Sequence, residues 1–90
     1  MREYEIKPHL QKVLNKLSRK DKSAYEAVLN KIQEIINTED IEHYKNLRYE
    51  LKELKRVHAA KSFVLAFSYD KAKNFVSFID YDHHDHIYKK

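Results

Sequence analysis

The chain contains no cysteine, no glycine and no tryptophan, and only a single proline and a single methionine. Each absence closes off a class of function. Without cysteine there is neither a disulfide framework nor a thiolate metal site, and the default home is a reducing, intracellular one. Without glycine there is no Gly-rich loop to wrap a phosphate and no dinucleotide fingerprint, so the usual nucleotide-binding folds are excluded by inspection. No apolar run approaches the length of a membrane span, and the opening Met1-Arg2-Glu3-Tyr4-Glu5-Ile6-Lys7 is too charged for a signal peptide. The expectation is a cytoplasmic protein with no membrane partner.

What the chain has in quantity is charge. Charged residues make up 36% of the 90, and eighteen Lys and Arg against fourteen Asp and Glu give a formal net charge of +4. The pI lies near 9.2, so the surface is basic without being a polycation. That balance favours nucleic acid or an acidic protein as partner. The length suits one domain, 1–90, able to bury roughly two-thirds of its unfolded surface around a modest core.

Residues 2–7 alternate charged and apolar positions and end at Pro8, which predicts a short first strand. Leu10, Val13, Leu14 and Leu17 then recur at the spacing of one helical face, predicting a helix over 8–17. Ser18 and Asp21, three apart, resemble a capping box ahead of a second helix that runs to about Asn37. Its buried stripe is Tyr25, Val28, Leu29, Ile32, Ile35 and Ile36. Residues 38–53 are polar without a clear period and are expected to form a long ordered connection. Residues 54–60 alternate again, with Arg56 and His58 on one face. In 62–69 large apolar residues (Phe63, Leu65, Phe67, Tyr69) alternate with small ones (Val64, Ala66, Ser68), so one strand face packs a core and the other is left shallow. A turn over 70–74 and a last strand over 75–82 complete an antiparallel meander. The fold class is therefore α+β: a short N-terminal strand, a helical hairpin and a three-stranded meander, in two layers.

The chemistry concentrates at the end, in His83-His84-Asp85-His86-Ile87-Tyr88. Imidazoles exchange protons at neutral pH. If the tail stays extended, Asp80, Asp82, His84 and His86 share a face; if it turns helical, His84 and Tyr88 do. Three uses remain open. Two imidazoles and a carboxylate could hold zinc or ferrous iron, although contiguous ligands on one strand seldom close a tetrahedron alone. The histidines could be a merely solvated terminus. Or they could cleave RNA without metal, a reaction that needs a base for the 2′-hydroxyl, an acid for the leaving 5′-oxygen and cations for the phosphorane. For that chemistry the candidates are His84 and His58 as base and acid, Arg56 as phosphate clamp and Tyr88 as stacking or proton-sharing group. Lys55, Lys61, His83 and His86 are the candidate RNA- or phosphate-binding residues around them.

Leu47-Arg48, Arg56-Val57-His58, the run 62–70 and the run 82–88 together resemble the RelE/ParE superfamily of toxins, RelE branch, over essentially the whole chain. The resemblance implies a toxin of a toxin–antitoxin pair. Such a toxin enters the ribosome and cuts messenger RNA by 2′-hydroxyl attack, with no cofactor or metal, and is neutralised by a RelB-like antitoxin in a hetero-oligomer. Arg56 and His58 match the family's basic second strand, and His84 with Tyr88 match its histidine-and-aromatic ending. Two positions depart: Val64 stands where the family's third-strand arginine falls, and Asp82 where a C-terminal arginine does. A ParE-like toxin that binds a topoisomerase and cleaves nothing, a weakened RelE-fold protein and a metal-dependent hydrolase are the rival readings.

Overall fold

The computed structural model describes residues 1–44, 54–60 and 62–87. Most of the polar connection, together with Lys61 and Tyr88, lies outside them. The α+β order expected from the sequence is present. Strand β1 (Glu3–Ile6) precedes helices α1 (Pro8–Lys20) and α2 (Lys22–Asn37); a single 3-10 turn, Ile41–His43, follows. Then come β2 (Lys55–Ala60), β3 (Phe63–Asp70), β4 (Phe75–His83) and a one-turn helix α3 (His84–Ile87). Among the described residues no helix is long and apolar enough to cross a membrane.

Pro8 opens α1, where its missing N–H costs nothing and its fixed φ is already helical. The helix does not stop at Leu17. Ser18 stays inside it by bonding its hydroxyl back to the Asn15 carbonyl at 2.8 Å, and Arg19 and Lys20 complement the negative end of the helix dipole. The cap of α2 is therefore Asp21, not Ser18. Its carboxylate accepts the Ala24 N–H at 3.1 Å while its own N–H closes α1 on Leu17 O at 2.8 Å. One residue ends one helix and starts the next.

The sheet runs in the order β1-β4-β3-β2. The meander is antiparallel as expected, and β1 joins it parallel to β4, pairing Glu3 with Phe75 through Ile6 with Phe78. With no glycine available, the turn before β4 puts Asn74 at φ 52°, the left-handed region that Asn tolerates best among residues carrying a Cβ. Its side-chain oxygen accepts from Tyr69 (2.8 Å) and from Arg2 Nε (3.0 Å). The same guanidinium donates to the carbonyls of Ile35 and Thr38 at the end of α2, tying β1, α2 and the turn together.

The core lies between the helices and one sheet face. Leu10 and Leu14 of α1 and Val28, Ile32, Ile35 and Ile36 of α2 meet Leu65, Phe67, Val76, Phe78 and Tyr81. The alternation in β3 predicts this only in part. Leu65 and Phe67 are buried as expected, but Phe63 is 39% exposed, while Val64 and Ala66, expected on a shallow open face, are completely buried. They form a second small core with Ile87 of α3, against which Leu54 packs. The central strand is thus covered on both sides.

Tyr44 closes the main core beside Phe67 (ring centroids 5.6 Å apart) and donates its hydroxyl to Glu34. That bond, more than the nearby Lys31, holds the Glu34 carboxyl below its ordinary range. Burial, and then Glu34 itself, push the Tyr44 hydroxyl up, so it remains a donor. A carboxyl with a lowered folded pKa stabilises the fold above its unfolded pKa of about 4.3, and this stabilisation is lost as pH falls through the folded value. Tyr44→Phe keeps the ring and is expected to cost about 1 kcal/mol at pH 7, a charged hydrogen bond discounted for solvent access to Glu34. Urea titrations at pH 7 and pH 3 check this: the difference between the two proteins should shrink at pH 3.

Candidate active site: the histidine turn after β4

β4 ends at His83, and the chain turns into α3 at once, anchored by the His84 N–H on Ser62 O (2.9 Å) and by Ile87 on the β3 surface. The tail is therefore helical rather than extended, and the rings fan around one turn. His83 stacks on His84 with centroids 4.6 Å apart, and lies 5.8 Å from His86. Three carboxylate contacts order them. Asp85 approaches His84 Nδ1 at 3.1 Å, Asp82 approaches His86 Nδ1 at 3.3 Å, and Asp85 stands 3.7 Å from His83 Nδ1. Of these the Asp82–His86 contact has hydrogen-bond geometry, and His83 Nδ1 instead accepts the Asp85 N–H at 3.2 Å. Asp85 thus places a negative charge beside the Nδ1 side of the His84 ring, and an imidazole in that setting can serve as base or acid.

β2 supplies the rest of the face. His58 pairs with Val64 and Val64 with Asp82; Arg56 pairs with Ala66 and Ala66 with Asp80. Side chains opposite one another across a ladder share a face, so Arg56 and His58 stand on the side of the sheet where α3 sits. Two strand spacings put His58 roughly 10 Å from Asp82 across the sheet, with Val64 and its Ile87 cover between them. Arg56 is half-buried and His58 exposed. The face is thus split by an apolar ridge, not the open shallow sheet that the sequence predicts.

Lys55 points the opposite way, is buried, and donates to Tyr44 O at 3.3 Å with Glu42 at 3.9 Å. It lies on the core side, away from the histidines. Val64, in the aligned arginine position, is interior, and Asp82 is held by His86. His83, His84 and Asp85 offer a metal-ligating set with donor atoms within 4.8 Å of one another. Binding an ion through His83 Nδ1 would break the Asp85 N–H bond.

Sequence reasoning misses two features beside this turn. His9 of α1 meets the buried Asp80 at 3.0 Å, a contact between residues 71 apart in sequence. It depends on a bulge in β4, where the register advances one residue on β3 from Ala66 to Phe67 while passing from Asp80 to Phe78. The only sequence hint is a carboxylate set in the apolar run Phe78-Ile79-Asp80-Tyr81. The second is Phe63, exposed yet stacked on Tyr81 (5.4 Å) and edge-on to His83 (5.6 Å).

No family model matches the chain. Among curated proteins it is 53% identical over all 90 residues, and 94% of the relative's length, to the Methanocaldococcus jannaschii protein RelE4, named as a candidate toxin. It is 45% identical over 83 residues (92% of this chain, 94% of the relative) to an uncharacterised Methanosarcina mazei protein. Among solved structures it is similar to the toxin–antitoxin complex RelBE2 of Mycobacterium tuberculosis, with a TM-score of 0.73 at 20% identity, covering 91% of this chain and 90% of that one. The isolated RelE toxin of E. coli gives 0.70 at 15% identity (92% and 84% covered), and E. coli YafQ 0.68 at 13% (98% and 99%). At those identities the structural matches bear on the fold.

Proposed function

The chain belongs to the RelE branch of the RelE/ParE superfamily of toxins, and on that premise we propose that it is a ribosome-dependent messenger-RNA endonuclease that stops translation. The observation that carries this reading is the strand register, which sets Arg56 and His58 on the face of the sheet that α3 covers with Ile87. In the reaction one imidazole removes the 2′-hydroxyl proton, the 2′-oxygen attacks phosphorus, and a second group protonates the departing 5′-oxygen. His84, with Asp85 beside it, and His58 take these two roles from opposite sides of the Ile87 ridge. Arg56 meets charge on the phosphorane. Tyr88 stacks on a base, and Lys61, His83 and His86 contact the flanking backbone. A base, an acid and fixed cations suffice, so no metal is assigned.

A toxin of this type is held inactive by a partner. RelBE2 is a toxin–antitoxin complex, and we assign this chain a RelB-like antitoxin that supplies an amphipathic segment to its surface in the cytoplasm. Programmed ribosomes incubated with the purified protein should release a cut message in the presence of a chelator, and excess antitoxin should prevent it. Intact message under those conditions would end the nuclease reading.

One observation favours a second reading. Val64 is interior and Asp82 is an acid, so the face carries fewer cations than the family resemblance implies. A non-cleaving, ParE-like inhibitor would leave message whole and instead block supercoiling by a topoisomerase, which a gyrase assay run in parallel reads directly.

A further inference from the structure

Beside the histidine turn, α1 and the end of the sheet enclose a groove of about 610 Å³, lined by His9, Lys12, Lys16 and Lys20 on the helix wall and by Phe63 and Tyr81 on the sheet wall. Lys12, Lys16 and Lys20 recur every four residues and so form one stripe along the helix, roughly 12 Å long. All three are exposed, and among the described residues none of their ammonium groups is in an ion pair. The carboxylates on the sheet wall are already met by imidazoles, Asp80 by His9 and Asp82 by His86. The groove therefore presents a row of uncompensated positive charge opposite an aromatic surface.

That surface continues into the proposed active site. Tyr81 stacks on Phe63, Phe63 meets His83 edge-on, and His83 stacks on His84. An exposed phenylalanine beside lysines suits a single-stranded nucleic acid, whose bases stack on aromatic rings while its phosphates follow the cations. An apolar peptide would use Phe63 but has no use for the lysine row.

We infer that this groove binds the single-stranded RNA flanking the scissile phosphate, with its backbone along Lys12, Lys16 and Lys20 and a base against Phe63. The assignment of the strand as message rests on the nuclease reading; the binding of RNA does not.

The test uses a fluorescein-labelled, fully 2′-O-methyl twelve-nucleotide RNA, which cannot be cut, and anisotropy titrations from low to moderate salt. Replacing Lys12, Lys16 and Lys20 by alanine should weaken binding at least about tenfold and flatten the plot of log K against log salt by about 2, three phosphate contacts at roughly 0.7 each. Phe63→Ala should weaken it about tenfold and Phe63→Tyr should restore it, as stacking requires. A control set, Lys22, Lys71 and Lys73 to alanine, removes the same charge elsewhere and should have little effect. Wild-type affinity in the groove variant, equal losses in both sets, or failure of the wild type to bind RNA would each overturn the inference. So would a groove variant that binds RNA normally but loses an acidic antitoxin. Wild-type protein that binds the oligomer yet leaves ribosomal message intact would remove the nuclease reading and leave the groove standing.

Discussion

Replacing His84 by alanine is expected to slow ribosome-dependent cleavage by at least about tenfold, and by up to about 10⁴-fold if it is the sole base or acid. The side chain is partly exposed, so the variant should unfold close to wild type. The loss would then be chemical. His84→Gln keeps a polar side chain but has no titrating proton, and should be as slow. Asp85→Asn should be slower than wild type but faster than either, because Asp85 stands 3.1 Å from His84 Nδ1 as a charge and takes no proton itself. Single-turnover cleavage across pH 5–9 is the deciding measurement, since loss of one limb of the profile marks a lost acid or base, whereas a scaffolding role would scale the whole curve. Full activity in His84→Ala would transfer the role to another group and remove this one.

Truncating Ile87 to alanine is expected to cost about 2–4 kcal/mol, the range for a large-to-small change at a fully buried aliphatic site. Ile87 is 2% exposed and sits on Val64 and Ala66. A helix of one turn has no stability of its own, so α3 is seated by this contact and by the His84 N–H on Ser62 O. Ile87→Val should cost about 0.5–1.5 kcal/mol. Urea midpoints at constant slope report the stability. Cleavage by Ile87→Ala, assayed where the protein is still folded, should fall as the histidines lose their register. A midpoint identical to wild type would mean that α3 is not packed on the sheet as described.

Much of this fold is legible in the sequence. The α2 stripe is legible because Val28, Ile32, Ile35 and Ile36 repeat at helical spacing, and the meander because its strands alternate between short polar turns. The same alternation placed Arg56 and His58 together. What failed were features set by groups distant in sequence or by competition between neighbours. Ser18 and Asp21 are both competent caps, and the contest is decided by whether Ser18 can satisfy its hydroxyl within α1. Period-two reasoning assigned β3 one open face, but it counts only the strand itself and not Ile87, which arrives from the tail and closes that face. Lys55 reads as a surface cation by composition, yet its position in the alternation turns it inward, where Tyr44 O receives the amine. The bulge that brings Asp80 to His9 carries no local signature. Lys61 and Tyr88, both named from the sequence, lie outside the described residues.

The placement of β1 has a temporal consequence. Its partner is β4, so β1 can dock only once a strand 72 residues further along the chain, counted from Glu3 to its partner Phe75, has been made. Until that strand emerges, the outer edge of the sheet is missing and the histidine turn has no finished surface beneath it. The histidine turn follows β4 directly, so the sheet is completed and the turn is seated in the same late step of synthesis.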